Sequence, residues 1–167
     1  MTHSSWPALP AGPVAVLAHP SDMWNLVRTM RTLAAEHDDT AWLHPRPNAE
    51  RRPVPTLSQD LLDAIGVVGL TTPRTTGEKH LLRPLTHLVH GPVRHLVIDD
   101  ASLIPTWVLA ELHQAAQLAA VQLWLIIDTA DIPSARGTGV ERHLGLSVER
   151  CFWLDTPTGS ARKAGHR

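Results

Sequence analysis

Arg94-His95-Leu96-Val97-Ile98-Asp99-Asp100-Ala101-Ser102 is the stretch on which the reading of this chain turns. A short apolar run with β-branched residues, bounded by turns, predicts a strand buried on both faces. Two adjacent carboxylates follow it, and then a helix signal. The carboxyl end of such a strand is where an open parallel sheet gathers its ligand-facing groups. Two acids there suit a hydrated Mg²⁺, which takes oxygen ligands and keeps several waters. A strand that ends in a solvated acidic turn fits the same residues.

Working outward, the chain alternates strand and helix signals. Pro13–Ala18 reads as a short buried strand, and Ser21 offers an N-cap for a helix over 22–36. That helix carries Met23, Leu26, Val27, Met30, Leu33 and Ala34 at helical spacing. Thr40–His44 reads as a second strand, followed by a proline-rich loop over 45–55. Thr56-Leu57-Ser58-Gln59 matches a capping box and opens a helix through Ile65, closed by Gly66. Thr75-Thr76-Gly77-Glu78 is a second capping box, and its helix runs to about His90 with a kink or break at Pro84. After the acidic strand, Pro105 suits the first position of a helix. Gln122–Ile127 and Glu149–Leu154 read as the fourth and fifth strands, with a short helical signal around Val140–Leu144 between them. This alternation predicts a parallel sheet with helices on both faces.

Composition narrows the function. With 167 residues the chain is long enough for one domain with a real core. Its formal net charge is −1, so no global basic field draws it to nucleic acid or to an anionic membrane. Arginine outnumbers lysine 13 to 2, and the lysines are Lys79 and Lys163. The single Cys151 excludes an internal disulfide and a Cys-rich zinc site, and it fits a reducing, cytoplasmic setting. No signal peptide and no membrane helix is expected.

The order of parts resembles the core of AAA-type P-loop ATPases, in the style of the small ATPases that assist transposition. The acidic strand resembles their Walker B strand. The resemblance covers residues 13–155 and implies a three-layer P-loop NTPase-like α/β domain with a five-stranded parallel sheet in the order 5-1-4-3-2. Residues 1–12 are then a flexible arm and 156–167 a flexible tail, too short for the family's helical lid. The resemblance makes Asp99 the Mg²⁺ ligand and Asp100 the residue that activates water. It also places a polar sensing residue near Thr129, with Asp128 beside it, and invites a search for an arginine finger at Arg136 or Arg142.

One departure is severe. Between the first strand and its helix the family needs G-x-x-x-x-G-K-[ST], so that amides cradle phosphate, Lys neutralises it and a hydroxyl binds Mg²⁺. This chain has Ala18-His19-Pro20-Ser21-Asp22-Met23-Trp24-Asn25. Met23 stands in place of glycine, Trp24 of lysine and Asn25 of the hydroxyl, while Asp22 adds negative charge and Pro20 removes an amide. The expectation is a non-catalytic pseudo-ATPase that binds another protein, without cofactor, with Trp24 filling the empty phosphate pocket. The alternative is an ATP- and Mg²⁺-binding ATPase with an atypical loop. A third reading is an unrelated doubly wound enzyme using Asp99, Asp100 and Asp128 on a small substrate.

Other constellations say less. Of the eleven histidines, His80, His87 and His90 share a helical region but lack an H-E-x-x-H or Cys partner. Ser21 and Ser102 sit in no G-x-S-x-G elbow.

Overall fold

The computed structural model describes residues 12–46, 53–67, 79–132, 139–148, 150–154 and 161–163. Along them run β1 (Val14–Ala18), α1 (Pro20–Ala35), β2 (Thr40–Leu43), α2 (Pro53–Ala64), α3 (Lys79–His90), β3 (His95–Ile98), α4 (Thr106–Leu118), β4 (Gln122–Asp128), α5 (Gly139–Leu144), β5 (Arg150–Leu154) and β6 (Ala161–Lys163). The strands form one sheet in the order β2-β3-β4-β1-β5-β6. The pairings among β1 to β5 are all parallel, and from the far edge they follow 5-1-4-3-2. β6 adds antiparallel to β5. The sheet therefore has six strands rather than the five expected, and Ala161–Lys163 belongs to it although 156–167 reads as a flexible tail. Residues 1–11 of the expected arm lie outside the described residues.

The pleat divides the core in two. Ala15 and Leu17 of β1, Leu43 of β2, Ile98 of β3 and Leu125 of β4 meet the buried leucines of α2, α3 and α4. Val14, Val16, Val97, Trp124 and Ile126 face the other way, against Leu26 and Met30 of α1. The interior strands are apolar at successive residues because both of their faces are covered. Among the described residues α1 covers one face and α2 to α5 the other.

Helix starts differ from the sequence expectation in instructive ways. α1 begins at Pro20, with His19 rather than Ser21 as its N-cap, because proline's fixed φ and missing N–H suit a first position. By contrast Pro105 is the N-cap of α4, not its first residue. α2 begins at Pro53, so Thr56 lies inside the helix and its capping box is unused. α3 is continuous through Pro84, so of the kink or break expected there the break does not occur. Burial of Leu81 and Leu88 on its inner face supports it there, since packing outweighs local propensity. The capping box at 75–78 lies outside the described residues. Beyond β2, Arg46 ties the chain down: its Nε lies 2.6 Å from the buried Asp60 carboxylate, which also accepts the Arg46 N–H at 3.3 Å.

Gly145 closes α5 with φ +68, and its N–H donates to the Glu141 carbonyl at 2.8 Å. A Cβ there would lie 2.9 Å from Thr106 Cβ at the start of α4. Gly145→Ala should cost about 1–2 kcal/mol from the left-handed backbone alone. The contact with Thr106 adds to that, and urea unfolding should read the sum. A neutral result would mean that α5 is free to move away from α4.

Candidate functional site

The chemistry-bearing side chains collect at the carboxyl edge of the sheet, on the α1 side. Alternation puts them there. Val97 faces α1, so Asp99, two residues on, does as well. The same holds for Trp42 and His44 along β2 and for Ile126 and Asp128 along β4. The Asp99 N–H donates to the Leu43 carbonyl at 2.9 Å, extending the β2–β3 pairing by one residue.

Asp99 is 7% exposed, and a buried carboxylate needs partners. It has two, an imidazole and a guanidinium. His44 Nδ1 lies 3.0 Å from Asp99 Oδ2, and the Arg31 guanidinium lies 3.6 Å from the same oxygen. Arg31 in turn sits over the Trp42 ring, 5.2 Å from its centroid. The sequence placed His44 only at the end of the second strand, with no signal that it would meet Asp99. Arg31 carried no signal in the sequence, because its role depends on how α1 crosses the sheet.

Asp100 is in the left-handed region, φ 58 and ψ 60, and opens a 3-10 turn over Ala101–Leu103 without capping it by its side chain. Burial pushes its carboxyl above the usual carboxylate range. The nearby negative charges of Asp131, Asp99 and Asp128 push the same way, and His44 opposes them. The folded state holds this proton to higher pH than the unfolded state does, so the ionised carboxylate weakens the fold. Its penalty is full above the raised pKa and vanishes below the ordinary 3.8. Asp100→Asn should therefore stabilise the protein at neutral pH, since asparagine also tolerates this backbone. The gain should fade as the pH falls toward 3.8, and urea midpoints across pH would read it. A gain that does not change with pH would assign the effect to backbone alone.

Asp128 has a local task. Its carboxylate accepts the Ala130 N–H at 2.8 Å and caps the 3-10 turn Thr129–Asp131. Thr129 is thus placed at the end of β4 beside the acids. Arg142 is exposed on α5, and Arg136 lies outside the described residues.

The junction that would hold a phosphate is reduced to one residue. Only His19 separates β1 from α1. The amides that start the helix all turn back onto it. Ser21 N–H donates to His19 Nδ1 at 3.3 Å, and the Asp22 and Met23 N–H groups donate to the His19 carbonyl at 2.8 and 3.1 Å. Pro20 has no amide to offer. Ala18 is buried at the end of β1, Met23 packs against the sheet, and Asn25 is exposed in the second turn of α1. Trp24 does not fill a pocket: it is 67% exposed on the outer side of α1, with the Arg28 guanidinium 5.2 Å from its ring centroid. With Leu26 and Met30 buried against the sheet, position 24 falls on the outer side of α1.

Elsewhere, His87 and His90 are exposed on α3. Among the described residues no three His, Cys, Asp or Glu side chains are placed to hold a metal ion. Ser102 Oγ lies 3.3 Å from His143 Nε2, a contact between the 3-10 turn and α5 that the sequence did not suggest. No described carboxylate bonds the other nitrogen of that ring. Among the described residues no helix is long and apolar enough to cross a membrane.

Fold and site together define an α/β domain with a largely parallel sheet and an acidic carboxyl edge whose buried member meets Arg31 and His44. No protein-family model matches the sequence, and no match is found among curated proteins.

Proposed function

We propose that this chain is a non-catalytic domain of P-loop ATPase descent, a pseudo-ATPase of AAA type that works in the cytoplasm by binding another protein. The observation that carries this reading is the one-residue junction between β1 and α1. A phosphate cradle needs several free amides in a loop wide enough to wrap an anion. Here the amides after Pro20 are bonded to His19, and Asp22 and Asp128 would face the anion. No lysine is near. The oxygen of Asp99 that would meet Mg²⁺ already meets His44 and Arg31. Nucleotide and Mg²⁺ do not fit these residues, so no reaction step is assigned to them.

The alternative, an ATPase with an atypical loop, draws on Asp100. A non-glycine residue held in the left-handed region next to a buried acid is the kind of strain found at active sites. One measurement separates the two. A ligand that binds only the folded state stabilises it by ~2.7 kcal/mol at a hundredfold excess over Kd. In a domain of this size that raises melting by roughly 5–10 °C. ATP, ADP and GTP with Mg²⁺ should leave the melting temperature within error. A rise of that size, lost in Asp99→Ala, would overturn the pseudo-ATPase reading.

A further inference from the structure

Toward the amino edge of the sheet, away from the acids, one hydrogen bond joins two side chains that face α1. His95 opens β3, and Trp124 is the third residue of β4. The strands pair with His95 opposite Gln122 and Val97 opposite Trp124, so His95 and Trp124 are diagonal neighbours on one face. The Trp124 indole N–H donates to His95 Nδ1 at 3.3 Å, with 6.4 Å between the ring centroids. Trp124 is 4% exposed and shares the core on this face with Val97, Leu26 and Met30.

The donor decides the protonation state of its acceptor. An indole N–H can only donate, so Nδ1 must keep a lone pair, and the proton of the neutral ring sits on Nε2. An imidazolium carries N–H on both nitrogens and would set two donors against each other. We propose that the Trp124–His95 bond is an acid-sensitive latch. It is closed while His95 is neutral. Protonation opens it, frees the buried indole and loosens the α1 layer where Leu26 and Met30 pack.

The surroundings keep the latch closed near neutral pH. Burial holds the imidazole below its ordinary value of 6.5. From the turn between α1 and β2, Asp39 opposes that shift and His37 adds to it. Glu36 and Asp38 in the same turn are exposed. The flanking strands present Thr40 and Gln122 beside His95, and neither titrates. Arg94 precedes it, with its guanidinium donating to the Val93 carbonyl at 3.2 Å. The Asp39 carbonyl accepts the N–H groups of Arg94 and His95 at 2.7 and 3.1 Å, which anchors the start of β3. The folded state binds this proton less tightly than the unfolded state does. The latch therefore contributes fully above pH 6.5 and is lost as the pH falls through the lowered value. Asp100 changes stability in the opposite sense, so a local readout is needed.

NMR of the nitrogen-labelled whole protein, from about pH 8 to about pH 5, supplies it. The indole N–H of Trp124, assigned by its loss in Trp124→Phe, should shift with a midpoint below 6.5. Its exchange with water should quicken about tenfold across that midpoint, as the loss of one hydrogen bond brings. The His95 ring Cε1–H should titrate with the same midpoint. His95→Gln keeps an acceptor that does not titrate, so the indole signal should stay protected and flat with pH. His37→Gln should raise the midpoint and Asp39→Asn should lower it. In urea, wild type should lose stability relative to His95→Gln as the pH falls below 6.5, a difference in which Asp100 cancels. An indole signal that does not move with pH overturns the proposal. So do different midpoints for the indole and the His95 ring in wild type, or an indole shift that persists in His95→Gln.

Discussion

Leu125→Ala should lower the free energy of unfolding by about 2–5 kcal/mol, the largest single-site effect expected in this chain. Leu125 is 0% exposed in β4, between Ala15 of β1 and Ile98 of β3. Its side chain faces the layer of α2, α3 and α4, within a cluster of buried apolar residues. Truncation removes its transfer energy and leaves a cavity that two flanking strands cannot close, because their hydrogen bonds hold them apart. In a domain of this length the loss corresponds to roughly 4–20 °C in melting temperature. Leu118→Ala is the control: it is 75% exposed, and its effect should stay within about 0.5 kcal/mol. A loss under about 1 kcal/mol at position 125 would mean that the α layer does not pack on β4 as described.

The second large effect is expected where the fold meets the candidate site. Arg31→Met with His44→Leu leaves Asp99 buried and without its two side-chain partners. An unsatisfied buried acceptor costs about 1–3 kcal/mol, more when charged. Both partners are more than half exposed, which holds the estimate at that level rather than at the 3–5 kcal/mol typical of a fully buried pair. Adding Asp99→Asn to the double variant should recover most of the loss, because a neutral amide is far cheaper to bury. Urea unfolding of wild type, double and triple variants reads the cycle. Equal stability of double and triple would show that the Asp99 charge does not depend on Arg31 and His44. Millimolar Mg²⁺ should not rescue the double variant. A rescue would make Asp99 a cation ligand and would promote the ATPase alternative.

Some of this was legible without coordinates. Runs such as VAVLA, HLVI and LWLII contain too few polar residues to leave either strand face in water, so they had to lie inside a sheet. Amphipathic stretches between them had to be helices that cover it. The acidic pair after Ile98 had to fall at a strand end, since neither carboxylate could stay in the strand interior without a partner. The departure at Met23, Trp24 and Asn25 was readable for the same kind of reason: phosphate binding depends on residue types that can be checked one by one.

What the sequence by itself determined, then, is the order of elements, the two-sided burial of the strands and the position of Asp99 and Asp100 at a carboxyl edge. These follow from local pattern and from the cost of burying polar groups. Only the tertiary structure decided which side of α1 is covered. Apolar residues at 23, 26, 27 and 30 leave Trp24 beside the buried stripe, and the burial of Leu26 and Met30 turned it outward. Only the tertiary structure joined His44 and Asp99, 55 residues apart, and brought Arg31 to the same oxygen. Such a contact depends on β2 lying beside β3 and on the angle at which α1 crosses them. Neither is written in the local pattern of any single segment.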